Sequence, residues 1–252
     1  MYRGFKVAVV MPAYNAELTL EKTFCEVCEQ DIADLVVIVD DCSRDATERV
    51  ARRLAARDAL PRVLYFRHEH NRGYGGNQKS CYEMALANGA DIVVMVHPDC
   101  QYTPKLLPAM VSMIAAGLHP CVLASRILGG YALKGGMPLW KYVNNRWLTA
   151  VMNLLMGAKL SEYHTGYRAF SSQLLRRLPL ERNTDDFAFD AQMLAEILAA
   201  GATIGEVSCP TVYMPEASSI NFSRSCKYGV GCLFAALRFR FRRRSLIKDG
   251  GD

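Results

Sequence analysis

Short apolar runs alternate with segments of helical spacing along the first hundred residues. Val7–Met11, Leu35–Val39 and Val93–Val96 are unbroken apolar runs, which are typical of strands buried on both faces. A further strand, Arg62–Arg67, is predicted between the last two. The spacing in between predicts a helix over Glu17–Glu29 and another from about Gln78 to Ala87. Between them, a helix that Ser43 or Asp45 can cap is predicted to run through Val50 and Leu54 to about Asp58. Four strands that alternate with helices favour an α/β fold with a mostly parallel sheet and helices on both faces.

The second half of the chain continues with helices and shorter strands. Helices are predicted over Pro104–Ala116, Lys141–Met156 and Asp186–Gly201. Strands are predicted over Cys121–Ala124, after a turn within His164–Phe170, and over Ala202–Val207. A polar stretch, Met214–Ser225, precedes a last helix over about Cys226–Phe241. Because no repeat or linker interrupts the pattern, we predict one domain over residues 1–225 and a C-terminal amphipathic helix with a basic tail over 226–252.

Composition narrows the class of protein. The chain has 252 residues, 51% of them apolar, which is enough for a sizeable core and excludes disorder. The net charge is +5, but five arginines fall within Arg238–Arg244, so the basicity belongs to a tail and we expect no nucleic-acid partner. The longest nearly apolar run, Gly229–Leu237, is far too short to span a bilayer. We therefore expect a soluble or peripheral protein.

The nine cysteines predict a reducing compartment. Their number is odd, and most lie in apolar or helical surroundings. Cys25 and Cys28 form a C-x-x-C pair within a helical pattern, but no second pair follows at zinc spacing. We therefore expect free thiols and a cytoplasmic location.

Polar residues follow the apolar run that ends at Val96. His97, Asp99 and Gln101 are spaced by two, so on an extended segment their side chains point to the same side. Carboxylate and amide oxygens suit Mg²⁺ or Mn²⁺ ions that keep other positions for water and phosphates. The alternative is an ordinary polar turn after a strand.

A second polar group follows the first two strands. Pro12, Tyr14 and Asn15 come after the first strand, and Asp40 and Asp41 after the second. Neighbouring strands of a doubly wound sheet end at one edge, where Tyr14 can pack on a nucleoside base and a carboxylate can accept from the base or a ribose hydroxyl. The alternative role for the two acids is to cap the next helix.

The glycine-rich segment Asn71–Asn77 leaves two interpretations open. Asn71, Gly73 and Gly76 belong either to a phosphate-binding nest of backbone N–H groups or to a tight turn that needs positive φ. The segment is not a P-loop, and no G-x-G-x-x-G follows the first strand, so ATPase and dehydrogenase functions lose their main support.

Several charged residues later in the chain are candidates for chemistry. Asp186 and Asp190 are candidate general bases, with helix capping as the alternative. Cations are scattered through polar loops and helix edges, and by themselves they assign no role: Arg126, Arg146, Arg168, Arg224 and Lys227.

Taken in order, the motifs resemble a known family. The nucleotide-sugar half of family 2 glycosyltransferases is matched by four stretches: Pro12–Asn15, Asp40–Thr47, Asn71–Gly76 and Pro98–Gln101. Three later stretches resemble dolichyl-phosphate mannose synthases and related polyprenyl-phosphate glycosyltransferases: Ser125–Arg126, His164–Arg168 and Phe189–Asp190. The resemblance implies a GT-A fold, a UDP- or GDP-type nucleotide-sugar donor and inversion at the anomeric carbon.

The resemblance also implies roles for the polar residues. It implies Mg²⁺ or Mn²⁺ on Asp99 and Gln101, with His97 standing where the family usually has an acid. It further implies a lipid-phosphate acceptor, which Arg126, Arg146 and Arg168 would bind by converging in front of the donor. Lys227 or Arg224 would supply a charge missing from Met214–Ile220, where the synthases carry Arg-x-x-Gly-x-Ser-Lys.

Other functions remain open at this stage. For a hydroxyl acceptor, Asp190 or Asp186 would have to take the proton. A relative that binds nucleotide sugars without turnover is a second alternative. The last helix and its arginines fit peripheral contact with an anionic membrane, on its cytoplasmic face.

Overall fold

The computed structural model describes residues 1–213 and 228–240. The strands are β1 Val7–Ala13, β2 Leu35–Asp40, β3 Arg62–Arg67, β4 Ile92–Met95, β5 Cys121–Ser125, β6 Arg168–Ser171 and β7 Ile204–Ser208. The helices are α1 Leu20–Cys28, α2 Thr47–Ala55, α3 Gly73–Ala87, α4 Leu107–Ala115, α5 Leu139–Met156, α6 Ser172–Arg177, α7 Phe189–Ala199 and α8 over 228–240. Short 3₁₀ turns occur at Pro104–Leu106 and Leu180–Arg182.

The described strands form one sheet in the order β3-β2-β1-β4-β6-β5-β7. Strand β6 runs antiparallel to both of its neighbours, and every other pairing is parallel. The predicted α/β class with a mostly parallel, GT-A-like sheet is confirmed. Since β1 lies between β2 and β4, the order of strands reverses there, and a crevice opens outside their carboxyl ends.

Both faces of the sheet are buried, which explains the unbroken apolar runs. In β1, Ala8 and Val10 join a core cluster with α3, α5 and α7, whereas Val9 and Met11 join a second cluster with α1, α2 and α4. All seven residues of β1 are buried. A strand with a helical layer on each face cannot show the alternation of a half-exposed strand.

Helix α8 packs on the first of these cores. Cys232, Ala236 and Phe239 are buried in the same cluster as Leu148 and Met152 of α5. The apolar side chains predicted for a membrane face on this helix are exposed to different degrees: Val230 68%, Phe234 68% and Leu237 41%, with Leu233 partly buried. The predicted boundary at 225/226, Arg224, Lys227 and the tail beyond residue 240 lie outside the described residues.

Several element boundaries differ from the sequence prediction, three of them beside the polar and glycine-rich motifs. Strand β1 continues through Pro12 to Ala13, and β4 stops at Met95, before the polar residues. Helix α3 begins at Gly73 and not near Gln78, so the glycine-rich segment forms its first turn. Among the described residues, no helix combines the length and the apolar character that crossing a bilayer requires.

Candidate active site

The polar groups singled out in the sequence meet at one edge of the sheet. Strands β1, β2 and β4 are parallel, so the residues after Ala13, Asp40 and Met95 lie side by side. Because β6 is antiparallel, its first residue, Arg168, pairs with Met95 at the same edge. We call this the carboxyl edge of the sheet. It gathers groups from distant parts of the chain around the β1/β4 crevice.

Asp41 organises the loops at this edge. Its carboxylate accepts from the backbone N–H groups of Arg72 at 2.7 Å and Gly73 at 3.0 Å, and lies 2.8 Å from His68 Nδ1. Its carbonyl oxygen accepts from the Asn71 side chain at 3.0 Å. The residue is only 3% exposed. Asp41 therefore ties the start of α3 to the end of β2.

Asp40 is also turned inward. Its Oδ1 accepts from the Ser43 N–H at 2.9 Å, and its Oδ2 lies 3.7 Å from Arg67 Nε. Burial, with Asp40 nearby, raises the pKa of the Tyr65 phenol to about 12. Both acids thus have partners within the protein, and their side chains shape the wall of the crevice from behind.

The loop after β1 offers an exposed aromatic ring. Tyr14 is 49% exposed, whereas Pro12 is buried within β1. Asn15 adopts a left-handed φ of 51°, a conformation that asparagine tolerates well. Its N–H donates to Ser43 Oγ, and its Oδ1 accepts from the Arg44 N–H, each at 2.9 Å. These bonds fix the β1 loop to the β2 loop and leave the ring of Tyr14 at the surface.

The amides of the glycine-rich turn are already used by the protein. The Gly73 N–H donates to Asp41, and the Gly75 N–H donates to the Asp185 carbonyl at 2.7 Å. Gly73 has φ +83°, as the tight-turn interpretation requires. At Gly76, an added Cβ would lie 3.0 Å from the Arg72 Cβ. This arrangement supports a tight turn that starts a helix. It does not leave the open nest of N–H groups at Gly73 and Gly76 that the phosphate-binding interpretation requires.

Asp99 lies in a turn, which corrects the geometry assumed for the metal site. Its Oδ1 accepts from the Gln101 N–H at 2.9 Å, and Cys100 between them has φ +56°. Alternation along an extended strand therefore does not apply to Asp99 and Gln101. Among the described residues, Asp99 Oδ2 has no hydrogen-bond or ion-pair partner, so one carboxylate oxygen is available to a cation. We call residues 97–101 the candidate metal loop.

His97 is held by an aromatic neighbour. Its Nε2 lies 3.1 Å from the Tyr74 hydroxyl, and the two rings stack at 5.4 Å. Gly166 is needed beside it, because an added Cβ would collide with His97 Nε2. Burial lowers the pKa of His97, so the ring is neutral near pH 7. Only Nδ1 has no protein partner among the described residues, and it would be the nitrogen that faces a metal.

Asp190 belongs to a buried network that the sequence did not reveal in full. Its Oδ2 accepts from the Tyr74 hydroxyl at 2.8 Å, and its Oδ1 accepts from Gln78 Nε2 at 3.3 Å. The Arg168 guanidinium lies 3.5 Å from the same carboxylate. Tyr74 thus connects Asp190 to His97 of the candidate metal loop. The sequence signal for this network was Tyr74, a tyrosine between two glycines at the start of a helix that packs on the sheet.

Asp186 makes contacts at the start of α7. It lies before α7, where its Oδ1 accepts from the Phe187 N–H at 2.8 Å and its carbonyl accepts from the Phe189 N–H at 3.0 Å. These contacts are those of a residue that orders the start of a helix. These contacts order the start of α7, whereas those of Asp190 join it to the polar groups of the carboxyl edge.

The three arginines proposed to hold an acceptor phosphate instead fasten one segment of the chain. Arg146 donates to the Ser161 carbonyl, Arg126 pairs with the Glu162 carboxylate and donates to the His164 carbonyl, and Arg168 donates to the carbonyls of Tyr163 and Thr165. Arg168 has no exposed surface. The expected convergence of three free guanidinium groups is therefore corrected, since protein oxygens occupy Arg126 and Arg168; only Arg146 is exposed.

Glu162 and His164 show how strongly this segment is buried. Burial alone would raise the pKa of Glu162, but its ion pair with Arg126 lowers it below the usual range. Asn145 of α5 adds a hydrogen bond to the same carboxylate at 3.1 Å. Burial lowers the pKa of His164 to about 4, and its Nδ1 lies 2.7 Å from the hydroxyl of Tyr228 on α8. The segment is thus a rigid wall between α5, α8 and the crevice.

Comparison with known sequences identifies relatives over most of the chain. A profile of the family described as "Glycosyl transferase family 2" matches residues 8–179. The UDP-N-acetylglucosamine–dolichyl-phosphate N-acetylglucosaminyltransferase of Methanococcus voltae is 28% identical over 217 residues, which cover 82% of this chain and 86% of that protein. The undecaprenyl-phosphate mannosyltransferase of Micrococcus luteus is 26% identical over 211 residues, which cover 80% and 82%.

A solved structure shares the architecture. Glucosyl-3-phosphoglycerate synthase from Mycobacterium tuberculosis, in complex with Mn²⁺, UDP and glucosyl-3-phosphoglycerate, matches with a TM-score of 0.68. The match covers 94% of this chain and 80% of that chain, at 21% sequence identity. At this identity the likeness is one of fold.

Proposed function

Because the chain belongs to family 2 of the glycosyl transferases, we propose that it transfers a sugar from a nucleotide-diphosphate donor to a polyprenyl phosphate, with inversion at the anomeric carbon. In such a reaction an acceptor oxygen attacks the anomeric carbon in line as the nucleotide diphosphate leaves. The names of the relatives from Methanococcus voltae and Micrococcus luteus, which act on dolichyl and undecaprenyl phosphates, support this class of acceptor.

The choice of a phosphate acceptor rests on the environment of Asp190. Its carboxylate is 4% exposed and is engaged by Tyr74, Gln78 and Arg168. A general base needs an oxygen within reach of the proton that it removes. A phosphate acceptor is already anionic and needs positioning more than deprotonation. The engaged carboxylate therefore favours a phosphate over a hydroxyl.

For the donor, Tyr14 is the proposed contact with the nucleoside. Its exposed ring offers a face on which a base can stack, and Asn15 holds the loop that carries it. Asp40 and Asp41 support this pocket from the buried side, as Pro12 does from β1. Asn71 and the first turn of α3, with Gly73 and Gly76, close it at the Asp41 end.

The candidate metal loop fits a Mg²⁺ or Mn²⁺ ion. Such ions are commonly held by one or two carboxylates together with substrate phosphates, and no group of three or more His, Cys, Asp or Glu side chains at metal-binding distance occurs in residues 1–213 or 228–240. Asp99 Oδ2 would be the first ligand, with the Gln101 side chain or His97 Nδ1 beside it. A bound ion would offset the negative charge of the departing diphosphate.

Cations near the crevice would position the acceptor phosphate. Arg146 is the exposed guanidinium on the wall formed by residues 161–165, to which it donates through Nη1 at 2.6 Å. An arginine fork can bind a phosphate through its remaining nitrogens. Lys227, outside the described residues, is proposed as a second cation. We place the enzyme at the cytoplasmic face of a membrane, where its lipid acceptor would be presented.

A thermal-shift screen of the purified chain tests the donor and metal sites together. We expect one class of nucleotide sugar, UDP- or GDP-linked, to raise the melting temperature in the presence of Mn²⁺, because a ligand that binds the native state stabilises it. Asp99→Asn should melt like the wild type without ligand and lose the Mn²⁺-dependent increment. The control is Asp91→Asn, at an acid outside the carboxyl edge that accepts from the Lys6 N–H.

Two outcomes would contradict the proposal. Stabilisation by neither class of nucleotide sugar would remove the donor site. An Mn²⁺-dependent increment that survives in Asp99→Asn would remove the metal role of this carboxylate. Donor binding without any turnover would instead identify a nucleotide-sugar-binding relative of the transferases.

A further inference from the structure

Helix α5 exposes an apolar stripe along most of its length. Its outward side chains keep large exposed fractions: Leu139 67%, Trp140 42%, Val143 54%, Trp147 61% and Leu154 76%. Their spacing of three, four and seven residues places them on one side of the helix. The side chains that face the core lie on the opposite side: Asn145, Leu148, Thr149, Met152 and Met156. We call the exposed stripe the α5 outer face.

The segment before α5 adds similar residues. Leu128, Tyr131 and Leu133 are each between 40% and 47% exposed. The Lys134 ammonium lies 5.8 Å from the centre of the Tyr131 ring, and the Lys141 ammonium lies 5.5 Å from the Trp140 ring. Aromatic rings beside lysines suit the boundary between lipid headgroups and acyl chains, where one end of a side chain is apolar and the other is wet.

The charge of this region has one sign. Residues 100–161 contain neither aspartate nor glutamate, although the whole chain has 25 such residues. The same stretch carries six cations: Lys105, Arg126, Lys134, Lys141, Arg146 and Lys159. An apolar stripe in a segment without acids is complementary to a surface that supplies negative charge, and anionic lipid headgroups do so.

We propose that the α5 outer face, together with residues 128–134, docks on an anionic lipid surface. The inference deepens the proposed function by naming the surface through which this enzyme meets the membrane that holds its acceptor. The inward side of α5 contacts Glu162 through Asn145, and Glu162 pairs with Arg126 at the carboxyl edge. A helix is only about 10 Å across, so docking through the outer face brings the crevice close to the headgroups.

The competing possibility is that a second copy of the chain covers the α5 outer face, but the positive charge of this region argues against it. If the α5 outer face and residues 128–134 of two copies met, Lys134 of one copy would lie near Lys134 of the other, with no carboxylate in residues 100–161 to offset the charge. Like charges brought together without partners cost binding energy. A lipid surface instead supplies the missing negative charge.

The two tryptophans of the chain are both on this face, so their fluorescence reports on it alone. We expect vesicles of phosphatidylcholine and phosphatidylglycerol to shift the emission to shorter wavelength, and brominated acyl chains to quench it. Vesicles of phosphatidylcholine alone should act much more weakly. Flotation of the full chain with each vesicle type measures binding independently.

Matched variants keep both tryptophans as probes. Leu154→Ser should lower vesicle partitioning about tenfold, because an apolar side chain no longer enters the bilayer. Leu118→Ser is the control, at a leucine that is 63% exposed beyond the end of α4. Lys134→Glu should weaken binding to anionic vesicles only, with Lys22→Glu, on the exposed side of α1, as its control.

Three results would overturn the inference: no spectral shift with anionic vesicles, equal effects of Leu154→Ser and Leu118→Ser, or a lipid-free dimer that Leu154→Ser dissociates. Donor binding, measured by thermal shift in the same variants, should stay at the wild-type value. Loss of vesicle binding with unchanged donor binding can therefore be told apart from failure of the proposed function, in which donor binding itself would be missing.

Discussion

Asp190, Tyr74 and Arg168 show how partners decide what a charged residue can do. The sequence marks Asp190 as a candidate base and Arg168 as a candidate phosphate ligand. The structure places both in one buried network, with Tyr74 between Asp190 and His97. Buried charges need such partners, because removing them from water is costly otherwise. Sequence alone identifies the charged residues, but the partner of each is set by strands and helices distant in the chain.

One histidine of the wall formed by residues 161–165 leads to a pH-dependent prediction at this scale. Burial lowers the pKa of His164 from 6.5 to about 4. Below about pH 6.5 the unfolded chain therefore takes up a proton that the native protein does not, and stability falls as the pH falls, by at most about 1.4 kcal/mol per pH unit from this group. His164→Asn, which can keep the bond to Tyr228, should show a shallower fall between pH 6.5 and 4.5.

Urea unfolding at several pH values measures this slope. The control is His70→Asn, at an exposed histidine, which is expected to follow the wild type. Equal slopes for the wild type and His164→Asn would show that His164 does not titrate as the structure requires.

At the scale of elements, buried strands are the most predictable feature and helix starts the least. Strands β1, β2 and β4 are recognisable because apolar side chains on both faces leave an unbroken run. The sequence prediction starts α3 too late, because glycines favour turns. Here the glycines instead let the first turn of α3 pack closely against the chain around the start of α7. An added Cβ at Gly75 would lie 2.5 Å from the Thr184 carbonyl and 2.7 Å from the Phe189 Cβ. Only the packed structure reveals that neighbour.

Gly75→Ala tests this packing. Alanine favours a helix over glycine by about 1 kcal/mol, but here we expect a net loss of about 2 kcal/mol in the free energy of unfolding, because the methyl group overlaps the segment before α7. Gly229→Ala makes the same change in α8, where the one contact of the added Cβ with the described part of the chain would be Leu148 at 4.0 Å. That variant should be neutral or slightly stabilising. Equal effects in urea unfolding would contradict the proposed contact.

At the scale of the whole molecule, the class of fold and the mostly parallel sheet could be predicted, but the reversed direction of β6 could not. Alternating strands and helices indicate a mostly parallel sheet, yet nothing local marks β6 as antiparallel. That reversal brings Arg168 and the wall of residues 161–165 to the carboxyl edge. Because the sequence does not predict this wall, the arginines that bind it were instead expected to bind a phosphate. The wall joins α5 to the carboxyl edge, because Glu162 accepts from Asn145 of α5 and pairs with Arg126.

The central claim is that the acceptor is a polyprenyl phosphate and not a hydroxyl. The most direct test incubates the full chain with Mn²⁺, the donor found by thermal shift, and equal amounts of a polyprenyl phosphate and the matching polyprenol. Asp190→Asn is assayed in parallel, because a hydroxyl acceptor would require that carboxylate as base whereas a phosphate would not.

The measured quantity is the ratio of glycosyl phosphoprenol to glycosyl prenol in this competition. We expect a glycosyl phosphodiester of inverted anomeric configuration as the main product, with detectable transfer by whatever fraction of Asp190→Asn is folded. Transfer to the polyprenol alone, abolished in a folded Asp190→Asn variant, would contradict it.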